Sequence, residues 1–284
     1  MPAIAELITY PVKGCAGRPQ PRAALARTGL AHDRAFLVVD GDGVFRTQRN
    51  EPRLAVITPE VGADGRELTL SAPGTEPLRL DVDTASPPRP VELFGAAHQG
   101  IDQGDTVARW LSEVLGAERR LVRVPPEYER TTDGLVPGRS LYADSGSLHV
   151  LSRASLGELN RRIVAAGREP LPLSRFRPNI VLDGWAEPHL EDQARHVTAG
   201  GTELAFAKLA VRCAVTLVDQ ERGERAGPEP LRTLATYRRV PEGKGVSLGA
   251  KYTVLRTGEL AVGDEFAVRE WAVEKPGDAA DRAG

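Results

Sequence analysis

Leu209-Ala210-Val211-Arg212-Cys213-Ala214-Val215-Thr216-Leu217-Val218-Asp219 is the stretch from which the fold is read. Five of its eleven residues are Leu or Val, and β-branched residues recur, a pattern that predicts a buried strand. Inside it Arg212 stands directly before Cys213. Neighbours on a strand point to opposite faces, yet the backbone beside Cys213 stays close to whatever its sulfur holds. A nearby cation favours thiolate over thiol, and thiolate is both nucleophile and metal ligand. A free cysteine in a strand also serves as a small core hydrophobe. The stretch alone leaves both readings open.

Working outward, similar short apolar runs recur along the chain, broken by Gly, Pro and Asp. Ala3 to Tyr10 reads as a first strand, followed by the small-residue loop Lys13-Gly14-Cys15-Ala16-Gly17. Phe36 to Val39 and Val44 to Thr47 flank Asp40-Gly41-Asp42-Gly43, a strong hairpin signal. Leu54 to Pro59, Glu67 to Ser71 and Pro77 to Val82 continue as strands, and this spacing suggests a barrel or sandwich. Asp105 is expected to cap a helix over Thr106 to Leu115 that Gly116 stops. Leu121 to Val124 returns as a strand. Pro125 to Gly138 reads as a linker and marks a domain boundary.

Beyond the boundary, Leu148 to Leu151 leads through Ser152 or Ser155, either of which suits a cap, into a helix bearing Leu156, Leu159 and Ile163. Arg177 and Asn179 bracket Pro178 at the mouth of the strand Ile180 to Leu182. Two apart, they are expected to project to one face. Pro230 to Tyr237 suits a short helix, and the segments from Gly249 to Phe266 read as closing hairpins of a barrel. The fold class expected is mixed and mainly β: a β-barrel-like domain over 1–125, a second β-barrel domain with a few helices over 126–271, and a flexible tail over 272–284.

Composition narrows the function. At 284 residues, 41% hydrophobic and 27% charged, the chain is that of a soluble globular protein. A net charge of −2 argues against nucleic acid or a membrane surface as partner. With no leader and no run of about 18 apolar residues, a cytoplasmic location is the expectation. The two cysteines, Cys15 and Cys213, lie far apart, with no CxxC or HExxH pattern. Any metal must be held by few protein ligands. None of the five histidines can be paired with Cys213 from sequence, so a base for cysteine nucleophilic chemistry is lacking. The set fits better as a thiolate metal ligand surrounded by donors for an anionic cofactor.

Seven segments then fall in a familiar order: Tyr10-Pro11-Val12-Lys13, Asp33-Arg34, Ser152-x-x-Ser155-Leu156-x-x-Leu159-Asn160, Phe176-Arg177-Pro178-Asn179-Ile180-Val181, Arg212-Cys213-x-x-Thr216-x-x-Asp219, Glu229-Pro230-Leu231-x-Thr233-Leu234 and Val262-Gly263-Asp264. Over almost its whole length the chain resembles MOSC-domain molybdenum proteins, above all the mitochondrial amidoxime reducing component and its bacterial relatives.

The resemblance implies an N-terminal MOSC β-barrel domain, a MOSC domain, and Mo-molybdopterin (the molybdenum cofactor) between them. Cys213 would be metal ligand and catalytic centre. Lys13, Gly14, Arg34, Ser147, Ser152, Arg177, Asn179, Arg212 and Tyr252 would bind the cofactor. Gly14 replaces a serine common in the family, which leaves only a backbone contact there. The implied reaction is reduction of N-hydroxylated small molecules, namely amidoximes, hydroxylamines and N-hydroxylated bases. The chain stops soon after the second barrel, without the ferredoxin domain of some relatives. Electrons would therefore come from a separate ferredoxin, flavin reductase or b-type cytochrome system. The alternative is a molybdenum-cofactor or sulfur carrier, or a sulfurtransferase, using Cys213.

Overall fold

The computed structural model describes residues 1–240 and 245–272. The mainly β architecture is as expected, and it is organised around an eight-stranded sheet. Its strands lie in the order Arg18–Gln20, Ala3–Thr9, Ile180–Asp183, Leu148–Ser152, Val246–Arg256, Thr202–Arg212, Ala194–Ala199, Ala267–Trp271. Leu148–Ser152 and Ile180–Asp183 run parallel. A parallel pair needs a crossover, which the helix Arg153–Ala165 provides.

Side-chain alternation divides the apolar residues of these strands between two cores. Leu148 and Val150 join Ile4, Leu7, Ile180, Leu182, Leu204, Tyr252 and Phe266 on one face, whereas Leu151 joins Leu159, Ile163, Phe176 and Leu248 under the helix. The two end strands, Arg18–Gln20 and Ala267–Trp271, are not paired to each other, so among the described residues the ladder is open and no closed barrel forms.

The N-terminal half builds its own core. A four-stranded sheet (Phe36–Val39, Arg120–Arg123, Ala96–Asp102, Arg89–Leu93) and a three-stranded one (Thr58–Val61, Glu67–Ala72, Thr75–Asp81) pack with the helix Asp105–Leu115. Leu37, Leu54, Leu68, Val91, Leu111 and Leu121 fill the space between them. The opening residues lie elsewhere. Ala3–Thr9 pairs with Ile180–Asp183, and Arg22–Ala26 pairs with Gly258–Ala261. The expected domain 1–125 thus feeds two cores, and the chain crosses between them at Tyr10 to Lys13.

Several local expectations are corrected. The 209–219 strand stops at Arg212, because its ladder partner begins at Val246, and Cys213 opens a 3-10 turn over Ala214–Leu217. The Cys213 carbonyl accepts from both Thr216 N (3.1 Å) and Thr216 Oγ1 (2.9 Å), which holds the turn. Leu54 likewise lies in a 3-10 turn, Pro52–Val56, before the strand begins at Thr58. Gly104, at φ 91°, occupies the cap position expected for Asp105. Ser152 caps the second helix by accepting from Ser155 N, and Glu158 pairs with Arg161 and Arg162 on its outer face. The linker carries a hairpin, Arg130–Thr132 with Gly138–Ser140. Past Ala272 the expected tail lies outside the described residues. No helix among the described residues is long and apolar enough to cross a membrane.

Candidate cofactor site

Where the chain crosses between the two cores, the ends of the central strands open into a cleft of about 840 Å3, counting its mouth. The N-terminal half contributes Lys13, Gly14, Arg34 and Thr47–Arg49. The C-terminal half contributes Ala143–Gly146, His149, Arg177, Asn179, Arg212, Cys213 and Lys251, with Phe176, Val211 and Val215 as an apolar wall. His149 and Lys251 are register partners on adjacent strands, which sets them side by side at the floor. Cys213 is half-buried, and its carbonyl rather than its sulfur carries the hydrogen bonds of the turn. The residue lines the cleft.

Two arginines hold strained backbones here. Arg34 (φ 50°) and Arg177 (φ 55°) are both left-handed, a conformation that costs a non-glycine residue about 1 kcal/mol or more. Both guanidinium groups lie 4.3 Å from the centre of the Tyr10 ring. Burial pushes the Tyr10 phenol up to about 12 even though Arg177 and Arg34 pull it down. The loop turn at Arg177 also corrects the expectation that Arg177 and Asn179 share a strand face, since the strand starts only at Ile180.

Asn179 is saturated by protein. Its Nδ2 donates to Ile8 O (3.1 Å) and Asp33 Oδ1 (3.0 Å), while its Oδ1 accepts from Arg34 Nη1 (3.1 Å) and His149 N (3.1 Å). No side-chain donor or acceptor is left over in quantity for a ligand. Asn179 therefore ties three strands together and aims Arg34. Asp33 completes the frame, accepting from Tyr10 N and pairing with Arg34.

Arg212 donates to Phe176 O through Nη2 (2.8 Å), and its Nη1 lies 3.4 Å from His149 Nε2. That nitrogen lies equally far, 3.4 Å, from Leu248 O, so a donor and an acceptor compete for it. Burial first, and then Lys251 and Arg212, hold the imidazole well below its ordinary range. Burial also lowers Arg177 and Arg212, and it lowers Lys251 to about 7 with the help of Arg212 and Arg34, against Asp144 and Asp33. Lys13 is lowered by burial against the pull of Asp144, and it bonds Tyr142 O (2.8 Å) and Asp144. Burial raises Asp144, but Lys13, Lys251 and Arg34 together hold it well below the usual carboxylate range. Its side chain is 58% exposed at the mouth, so water moderates that pull.

Lys13, Arg34, Arg49, Arg177, Arg212 and Lys251 thus face one carboxylate, Asp144, in a protein of net charge −2. Such a field attracts a polyanion. Arg212 Nε is buried with no hydrogen-bond partner, a donor waiting for an acceptor. Among the described residues no three His, Cys, Asp or Glu side chains come close enough to hold a metal ion. A metal at Cys213 would bring most of its ligands with it. The cationic lining and the unpartnered Arg212 Nε fit an anionic cofactor.

Of the residues expected at the site, Lys13, Gly14, Arg34, Arg177, Asn179, Arg212 and Cys213 line the cleft, and three do not. Ser147 donates to Arg139 O (2.6 Å). Ser152 caps the helix and bonds Glu191. Tyr252 donates to Glu191 O and Ala194 O inside the core. Sequence reasoning missed Thr47, Gln48, Arg49, His149 and Lys251. Gln48 is fully buried in a reciprocal amide pair with Gln220 (2.9 and 2.8 Å), which ties the two halves together below the cleft.

The comparisons with known proteins agree with this architecture. Residues 1–118 match the MOSC N-terminal beta barrel domain and residues 137–267 the MOSC domain. Domain content in that order defines the class: a two-part MOSC protein. Mitochondrial amidoxime reducing component 2 of Rattus norvegicus is 33% identical over 282 residues, covering 92% of this chain and 81% of the relative. Mitochondrial amidoxime-reducing component 1 of Homo sapiens is 32% identical over 280 residues, with the same coverage. Molybdenum cofactor sulfurase of Danio rerio is 31% identical over 253 residues, covering 83% of this chain but 30% of the relative. The chain belongs to the family of the MOSC-domain amidoxime reducing components.

Proposed function

We propose that the protein is a molybdenum-cofactor-dependent reductase of N-hydroxylated small molecules, amidoximes, hydroxylamines and N-hydroxylated bases among them. The observation that carries the reading is the convergence of six cationic side chains on a cleft that also holds the half-buried Cys213. The names of the relatives supply the substrate class.

In this reading the Cys213 thiolate ligates molybdenum, for which a soft, charged sulfur is suited. Arg34, Arg177, Arg212, Lys13 and Lys251 hold the phosphate and pterin of Mo-molybdopterin, with Arg212 Nε gaining the acceptor it lacks. Gly14 contributes backbone. When bound, the cofactor supplies the two-electron, oxygen-accepting chemistry. The chain's own residues bind and orient. Asn179 and Asp33 fix Arg34, the Thr216 contacts to the Cys213 carbonyl fix the turn that presents the sulfur, and Val211, Val215 and Phe176 keep the wall beside it apolar. An amidoxime takes up two electrons and two protons and leaves as amidine and water. The electrons come from a separate ferredoxin, flavin reductase or b-type cytochrome system.

Reduction of an amidoxime by the cofactor-loaded protein with a reduced dye as donor tests the reading. Turnover in the wild type and none in Cys213→Ala is expected. A cyanide-labile sulfur on Cys213 without turnover would favour sulfur transfer instead.

A further inference from the structure

The strands Arg89–Leu93 and Ala96–Asp102 are joined by two residues only, Phe94 and Gly95, both at positive φ (57° and 76°). A turn of that geometry favours Asn, Asp or Gly at its first position, and a bulky aromatic there is strained. Phenylalanine is the residue present, and it is 44% exposed. Burial does not repay the strain. A large apolar side chain held in a strained, exposed position is a signature of contact with something outside the chain.

The position of the ring says what that something is. Phe94 lies 4.9 Å from Lys13 Nζ and 6.0 Å from the Arg49 guanidinium, and both residues line the cleft. Phe45 buttresses it edge-on at 4.8 Å. Open space surrounds the Gly95 position at the tip. The ring therefore flanks two residues of the cleft from just outside its lining, with neighbours that fix its orientation and leave much of it uncovered. Across the cleft, Val211 (52% exposed) and Val215 continue an apolar rim beside Cys213.

We propose that Phe94 is a substrate-positioning residue: its ring packs against the flat conjugated face of an aromatic N-hydroxylated substrate whose N–O group reaches toward Cys213. The proposal rests on the reductase reading above and adds to it a preference for planar aromatic over aliphatic substrates. Phe94 touches no reacting atom, so its contribution is to substrate binding.

The test compares cofactor-loaded wild type with Phe94→Asn, a residue that suits the turn and keeps the hairpin folded. Reduction of benzamidoxime and of acetamidoxime is measured with a reduced dye, and binding of the product benzamidine by calorimetry. The ratio of kcat/KM for the aromatic over the aliphatic substrate is expected to fall about two- to tenfold, the range of one aromatic contact, through KM. Benzamidine binding should weaken by a similar factor. An unchanged ratio with unchanged benzamidine binding would overturn the proposal, as would a loss seen only when the donor is a protein. That last result would assign Phe94 to donor docking. If the wild type reduced neither substrate, the reductase reading itself would fall and this proposal with it.

Discussion

Replacing Asn179 by alanine separates a residue that builds the cleft from one that binds its contents. The side chain serves two backbone groups, Ile8 O and His149 N, and two charged ones, Asp33 and Arg34. Asn179 is only 2% exposed, so water cannot replace the lost bonds without entering the core. Each buried group left unsatisfied costs about 1–3 kcal/mol, and the two backbone groups alone set a loss of about 2–6 kcal/mol. For a chain of this size that is a fall in Tm of roughly 3–10 °C. The assay is thermal and urea unfolding of protein made in a host that lacks molybdopterin, so that no cofactor contributes. Asn179→Ala is expected to be destabilised by this amount even there. A stability within about 1 kcal/mol of wild type, a normal surface substitution, would refute the reasoning. Loss of cofactor retention alone would then mark Asn179 as a direct ligand.

The other predictions concern residues on either side of the same distinction. Ser152→Ala removes a helix cap and a bond to Glu191, and Tyr252→Phe removes the one proton shared between two buried carbonyls. Each is expected to lose about 1–2 kcal/mol in unfolding experiments while keeping its molybdenum, measured by metal analysis. Lys251, lowered from 10.5 to about 7, leaves the unfolded chain binding a proton that the folded one lacks between about pH 7 and about pH 10.5. Folding stability of the cofactor-free protein should therefore rise with pH through that window. In Lys251→Met that component of the slope disappears, and the variant is more stable than wild type at and below pH 7. A wild-type slope retained in the variant, read from urea midpoints across the window, would assign it to other groups.

How much of this was legible in the sequence depended on the range of the interactions. Motifs whose geometry is local were readable: Gly116 ending the helix and Ser152 as one of two candidate caps. The strand through Cys213 was read too far, because what stops it is the start of its partner at Val246, thirty-odd residues on. Lys251 and His149 carry no local signal. They meet only because Leu148–Ser152 and Val246–Arg256 pair with that register, and a shift of one residue would turn Lys251 away from the cleft. Tyr252, beside it, points into the core for the same reason of alternation. Nor does sequence reveal that Ala3–Thr9 crosses to the C-terminal sheet, which is what places Tyr10 and Lys13 at the junction.

The central claim is that Cys213 holds the metal of an anionic cofactor in this cleft. Its most direct test is the molybdenum content of wild type and Cys213→Ala, both purified from a host that makes molybdopterin. Close to one molybdenum per chain in the wild type, and its loss or a marked reduction in the variant with folding intact, is the predicted result. Wild type free of molybdenum, or a variant that keeps the full metal content and full amidoxime reduction, would contradict the account.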